Sequence, residues 1–235
     1  MITIGITGGI GSGKSVVSKL LEINGIAVYD SDMEAKRLTA TSPVIREKLT
    51  ERFGTQLYLD GQLDKAKLAS LVFTTAAVVP EQGGIGVCEN QPAAISQKSP
   101  MDSHLAYVNS VIHPEVARDF IAWKEQNEQE NARPGNFNRG GRGKPARAIA
   151  LESAILFESG FDKLVDVTVT VDAPLQVKID RVKQRDNLSE QAVCERISNQ
   201  MPDEKRNRLA DYVIANDGQQ ALIPQVEDLL RKIEK

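Results

Sequence analysis

Short apolar runs alternate with longer amphipathic stretches along this chain. Ile2-Thr3-Ile4-Gly5-Ile6 runs into glycines, and residues 14–23 then place Val16, Val17, Leu20, Leu21 and Ile23 at helical spacing. The opening therefore reads strand, loop, helix. Asn24-Gly25 ends that helix, and Ile26-Ala27-Val28-Tyr29 reads as a second strand arriving at Asp30. Apolar runs at 148–151, 165–171 and 212–215, separated by helical patterns, would complete a five-stranded parallel sheet with helices on both faces. The fold class read from this pattern is an α/β three-layer sandwich.

More than a hundred residues separate the second and third strands, too many for one crossover helix, so a further region is inserted there. Residues 33–53, 64–73 and 114–129 carry helical patterns, the last with Val116, Phe120, Ile121 and Trp123 on one face. Two stretches break the pattern. Residues 74–103 hold Pro80, Pro92 and Pro100 with Gly83, Gly84 and Gly86 and show no sustained period. Residues 133–147 (RPGNFNRGGRGKPAR) hold five basic residues, four glycines and two prolines, directly after Glu125, Glu128 and Glu130. Both read as excursions from the helical region.

Composition narrows the class. With 235 residues, 41% of them hydrophobic, the chain can bury a full core. No apolar run approaches the roughly 20 residues that span a bilayer, and no basic residue precedes Lys14, so the expected location is the cytoplasm. A net charge of −3 provides no global field for nucleic acid, and a nucleic-acid partner is not expected. Cys88 and Cys194 form no C-x-x-C, and His104 and His113 are the only histidines, so neither a zinc site nor a disulfide framework is suggested.

The stretch GITGGIGSGKS at 5–15 has the spacing of a phosphate-binding loop, Gly8, four residues, then Gly13-Lys14-Ser15. Its glycines let successive backbone N–H groups turn toward phosphate oxygens at the mouth of a helix whose dipole favours anions. Lys14 would bridge the β- and γ-phosphates, and the Ser15 hydroxyl would ligate Mg²⁺. The bland alternative is a glycine turn feeding an ordinary helix. A complete motif between a strand and a helix favours nucleotide binding.

Three further stretches carry candidate chemistry. In YDSDMEAK at 29–36, Ser31 and Glu34 match a capping box, which places Asp32 in the first helical turn and keeps it ionised. Asp32 either favours a helix start, as acids do, or serves catalysis at the C-terminal end of a strand, where open α/β sheets place ligand-binding residues. Arg181, Lys183 and Arg185 begin a charged segment that is either a solvated helix face or a cationic flap closing over a triphosphate. His113-Pro114 resembles a helix junction, with Pro114 at a first helical position. His113 is either a structural residue or part of a site.

GITGGIGSGKS, Asp30-Ser31-Asp32, LASLVF at 68–73, VNSVIHP at 108–114, LFE at 156–158, QRD at 184–186, RISNQ at 196–200 and ADYVIANDG at 210–218 together resemble the dephospho-coenzyme A kinases. The resemblance covers nearly the whole chain apart from excursions near 74–103 and 128–147. It implies a P-loop kinase fold: a nucleotide core of residues 1–32, 148–180 and 208–235, an inserted helical substrate domain of 33–147, and a helical lid of 181–207. It also implies that ATP phosphorylates the ribose 3′-hydroxyl of dephospho-coenzyme A. Gly11 to Val16 match the family's ATP loop, and the expected ATP-binding set is Gly9, Ile10, Gly11, Ser12, Gly13, Lys14, Ser15 and Val16. Asp32 matches the acid facing the acceptor hydroxyl and Arg185 a lid arginine. His113 falls where the acceptor site begins, and Asn216 where adenine is approached.

Two rival readings remain at this level. Another P-loop small-molecule or nucleoside monophosphate kinase would share the loop and lid and differ in acceptor choice. A nucleotide-dependent switch protein would turn over slowly with every small acceptor and bind RNA in a salt-sensitive way through the RGG-containing stretch. Oligomeric state is not legible in these residues.

Overall fold

The computed structural model describes residues 1–59, 62–73, 100–132 and 147–233. In chain order the elements are β1 (Ile2–Thr7), α1 (Lys14–Ile23), β2 (Ala27–Asp30), α2 (Ser31–Thr41), α3 (Pro43–Phe53), β3 (Tyr58–Leu59), β4 (Gln62–Leu63), α4 (Lys65–Phe73) and α5 (Pro100–Ala132). They continue with β5 (Ala148–Glu152), β6 (Val167–Asp172), α6 (Leu175–Asp186), α7 (Glu190–Ser198), α8 (Asp203–Leu209), β7 (Tyr212–Ala215) and α9 (Leu222–Ile233). Five strands form one parallel sheet, as the apolar runs predicted, and the structure sets their order as β2-β5-β1-β6-β7. Two compact units divide the chain: Met1–Glu34 with Ala117–Lys235, and Ala35–Val116.

In the first unit the central strands β1, β5 and β6 are buried on both faces. Ile4, Ile6, Ala150, Val169 and Ile214 pack with Val17 and Leu21 of α1 and Val226 and Leu229 of α9. Each such side chain, fully buried, contributes about 1.5–3 kcal/mol. The alternate positions turn the other way: Tyr29, buried, meets Phe120 edge-on at 5.3 Å and Trp123 at 5.5 Å, and its hydroxyl donates to Asp119 at 2.7 Å. Because β5 lies between β1 and β2, Glu152 stands level with Ile6 on one side and Asp30 on the other.

The second unit is mainly helical. Ser42 caps α3 by accepting from the Ile45 N–H, and Pro43 occupies the first turn. Ile45, Leu49 and Leu57 are fully buried, and Phe53 meets His104 and Tyr107 edge-on at 5.5 and 6.0 Å.

Several boundaries differ from the sequence expectation. The helical stretch 33–53 is two helices, because Ser42-Pro43 stops one and starts the next. Pro114 is not a junction; it lies inside α5. The bond that its missing N–H forfeits is outweighed by burial on both sides of it, at Val108 and Val111 before and Val116 and Phe120 after. The same helix begins at Pro100 and ends at Ala132, so it takes in the ends of both expected excursions. Residues 74–99 and 133–146 lie outside the described residues. The expected cap at Ser31 is displaced by one residue: Asp30 accepts from the N–H groups of Asp32 and Met33 at 3.0 and 2.9 Å, while Ser31 is buried inside α2. A carboxylate at the strand end reaches these orphan donors directly. The hairpin of β3 and β4 was missed, although Asp60-Gly61 in the sequence between the two strands was the available signal.

Candidate active site

The loop between β1 and α1 is shaped by what lies beneath it. Gly11 and Gly13 have φ of 77° and 93°, which L side chains rarely adopt. A Cβ on Gly11 would come within 2.5 Å of the Lys178 carbonyl oxygen, and one on Gly13 within 2.2 Å of Asn216 Nδ2. Close backbone approach, as well as dihedral freedom, requires glycine at both positions.

Three side chains brace the loop through its backbone and a fourth through the Ser15 hydroxyl. Asn216, buried, donates to the Ser12 carbonyl at 2.7 Å. Arg181 donates to the Gly11 and Ser12 carbonyls at 3.4 Å each and to Asn216 Oδ1 at 3.3 Å. Gln200 accepts from the Ile10 N–H at 2.8 Å. The Ser15 hydroxyl donates to Glu152 Oε1 at 3.2 Å. Among the described residues no side chain caps α1, and no acid stands in its first turn, so its leading N–H groups and dipole favour an anion.

Electrostatics bring the other candidates to the same place. Burial lowers the pKa of Lys14, Glu152 and Asp32 raise it, and Arg206 and Arg185 lower it again. Those four side chains thus lie within electrostatic reach of Lys14, and all five belong to one compact unit. Asp32 is exposed in the first turn of α2, where Asp30 holds its backbone. Arg185 is exposed on α6 and donates to its neighbour Asp186 at 2.7 and 2.9 Å; Arg196 reaches the same carboxylate at 3.4 Å. The Arg185 hydrogen bond holds the Asp186 carboxyl below its usual range.

Two expected site residues sit differently from the rest. The Asn216 side chain is engaged with the underside of the loop. His113 belongs to the other compact unit, half-buried in α5, where burial lowers its pKa. Sequence reasoning missed Glu152, Arg181 and Gln200 as partners of the loop. Glu152 had a signal: it directly follows the apolar run 148–151, at the strand end where ligand-binding residues gather. Arg181 and Gln200 lie in stretches that the sequence marked, the charged segment and RISNQ, but nothing there marked them as braces of the loop, since their contacts span 170 and 190 residues.

The dephospho-CoA kinase family model matches residues 2–79 and 100–221. A dephospho-CoA kinase of Bacteroides fragilis is 39% identical over 229 residues, covering 97% of this chain and 91% of the relative. That of Porphyromonas gingivalis is 36% identical over 234 residues, covering 99% and 95%. Among solved structures, a Thermus thermophilus protein superposes with a TM-score of 0.67 at 28% identity, covering 99% of this chain and 95% of that one. Dephospho-CoA kinase from Campylobacter jejuni gives 0.60 at 19% identity, covering 98% and 96%, a likeness of fold.

Proposed function

The chain belongs to the dephospho-coenzyme A kinase family, and on that premise we propose how its residues divide the work of phosphoryl transfer. The enzyme is a kinase that phosphorylates dephospho-coenzyme A with ATP, in the biosynthesis of coenzyme A. The proposal concerns the groups that bind, align and shield.

Gly9 to Val16 hold the phosphates of ATP, with backbone N–H groups as donors and Lys14 as a charge on the β- and γ-phosphates. Asn216 and Arg181 keep the loop in its binding form, so Asn216 serves the nucleotide through the Ser12 carbonyl. Asp32 accepts a hydrogen bond from the ribose 3′-hydroxyl and aligns it with the phosphorus. Such a transition state is loose, so positioning and charge neutralisation carry most of the catalysis. Arg185 exchanges its bond to Asp186 for the transferring phosphate when the 181–207 segment acts as lid. Acceptor recognition falls to the helical region 33–147, with His113 within it, and the cytoplasm is the assigned location. No described helix is long and apolar enough to cross a membrane.

A kinase using ATP generally needs a divalent metal, here assigned as Mg²⁺. The residues fit that ion. Ser15 and Glu152 offer hard oxygen donors next to Lys14, and among the described residues no group of three or more His, Cys, Asp or Glu side chains forms a closed cage. Mg²⁺ keeps most of its water and phosphate ligands and asks this little of a protein. When bound, it neutralises charge on the phosphates.

The observation that carries this reading is the convergence of Asp32 and Glu152 on Lys14, at the mouth of a loop braced from below. A coupled ADP-release assay tests it, with dephospho-coenzyme A, adenylate, cytidylate and shikimate as rival acceptors. Turnover should be fastest with dephospho-coenzyme A by orders of magnitude. Faster turnover with any rival would refute the acceptor assignment.

A further inference from the structure

Beside the outer rim of the loop lies a charged cluster that the roles above do not use. Lys178 of α6 and Arg206 of α8 are buried, with side chains 2% and 1% exposed, and both donate to Asp203. Arg206 Nη1 reaches Asp203 Oδ1 at 2.6 Å and Nη2 reaches the Met201 carbonyl at 2.5 Å, while its buried Nε has no partner among the described residues. A Cβ built on Gly9 would meet Asp203 Oδ1 at 3.2 Å and Arg206 Nη1 at 3.4 Å. The cluster therefore packs directly against the first residues of the phosphate loop.

Among the described residues the two cations share one carboxylate as their ion-pair partner, and that carboxylate is 34% exposed while both cations are enclosed. Two further acids accept from neutral donors: Asp172 from Asn207 at 2.8 Å, and Glu158 from the Met201 N–H at 3.3 Å. Burying a charge without full compensation is costly, and folds retain such charges where an anion offsets them. The neighbouring anion site is the phosphate loop, and Arg206 is close enough to act on the Lys14 ammonium within it.

We propose that Arg206 is a positioning residue of the nucleotide site: its buried guanidinium locks the α7–α8 junction against Gly9 and supplies a fixed positive charge that strengthens polyphosphate binding. It acts through Gly9 and through space, enclosed as it is, and does not touch the substrate. The proposal rests on the kinase reading above. It adds a second cation, from a distant part of the sequence, to the one that the loop motif contains.

The test separates charge from packing and uses the whole enzyme. Binding of Mg·ATP, tripolyphosphate and adenosine is measured by calorimetry, with kcat, KM and melting temperature, for wild type, Arg206→Lys, Arg206→Gln and Arg206→Met. A unit charge acting through a protein-like dielectric over one side-chain length is worth on the order of tenfold in affinity. The neutral variants should lose about that much affinity for Mg·ATP and tripolyphosphate, with adenosine unchanged, and KM for ATP should rise more than kcat falls. Arg206→Lys keeps the charge but loses the forked grip on Asp203 and the Met201 carbonyl, so it should bind tripolyphosphate less tightly than wild type and more tightly than the neutral variants. Folded neutral variants that bind tripolyphosphate as wild type does would overturn the proposal. Should neither neutral variant fold, a folded Arg206→Lys that loses tenfold or more would overturn it equally, and one that loses less supports it. If wild-type enzyme itself binds Mg·ATP no better than Lys14→Ala does, the kinase reading has failed rather than this inference.

Discussion

The two compact units invest their polar side chains differently. In the sheet-containing unit, Asn216, Arg181 and Gln200 spend their hydrogen-bonding groups on the backbone of one loop, and Ser15 and Glu152 meet at its mouth. In the helical unit, Arg46 lies over the Tyr58 ring at 5.0 Å and Arg52 over the Tyr107 ring at 5.5 Å, while Tyr58 and Tyr107 donate to helix carbonyls. The first arrangement fixes a backbone for binding anions; the second packs helices. Charge-stabilising chemistry needs donors already in place when charge develops, because reorganisation at that moment would cost catalysis. Loss of a side chain that holds the loop should therefore alter the reaction, and loss of Arg46, Arg52, Tyr58 or Tyr107 should alter stability.

The largest effect is expected at Lys14. Lys14→Ala should remove nearly all activity, on the order of 10³-fold or more, while the melting temperature stays close to wild type, since the glycines and the braces still shape the loop. Turnover like that of wild type would end the assignment of the loop.

Next comes Asp32→Asn, a nearly isosteric change that removes one negative charge and leaves the Asp30 cap of α2 intact. A positioned acid or base is typically worth ~10²–10⁴ in rate, so kcat should fall by about that much with Mg·ATP affinity retained. A kcat within about threefold of wild type would instead assign Asp32 to the helix start.

Asn216→Ala tests whether a residue can serve the nucleotide from underneath. It leaves the buried Ser12 carbonyl without its 2.7 Å donor and Arg181 without one partner, so stability should drop by about 1–3 kcal/mol. Affinity for tripolyphosphate, which has no adenine, should weaken together with that for ATP. Loss of ATP binding with tripolyphosphate unaffected would mean that Asn216 contacts the base.

The smallest effect belongs to the helical unit. Burial depresses the pKa of His113 below the usual 6.5, so folding favours the neutral ring. This contribution is fully present above the unfolded pKa, near 6.5, and is lost as pH falls through the lower folded value. Wild-type melting temperature should thus fall between pH 7.5 and pH 5.5, and His113→Gln should flatten part of that slope by a few degrees. An identical acid slope in the variant would remove His113 as its source.

How much of this was legible beforehand depended on the range of the interaction. All five strands of the parallel sheet, the loop after the first and the acid near the start of α2 follow from apolar runs and motif spacing within windows of about ten residues. Where local rules compete, they misled. Pro114 carries the usual mark of a helix start, yet tertiary burial on either side runs one helix through it. Ser31 and Glu34 match a capping box, yet the strand register brings Asp30 to the cap. Glu152 has only its place after the apolar run 148–151 to mark it in the sequence, and it becomes a site residue because β5 enters the sheet between β1 and β2.

The sequence by itself determined that the protein has a phosphate loop between a strand and a helix, that apolar runs build an α/β core around it, and that its ordered motifs resemble those of one kinase family. Such features are encoded in contiguous residues, where backbone geometry and side-chain period act directly. Only the tertiary structure decided which distant side chains hold the loop: Asn216 on Ser12, Arg181 on Gly11, Gln200 on Ile10, and the Lys178–Asp203–Arg206 cluster beside Gly9. A hydrogen bond of about 3 Å between residues some 200 positions apart has no period or spacing to betray it. It exists because the sheet order and the helices that follow β6 bring those backbones together, and each group so buried must find a partner there.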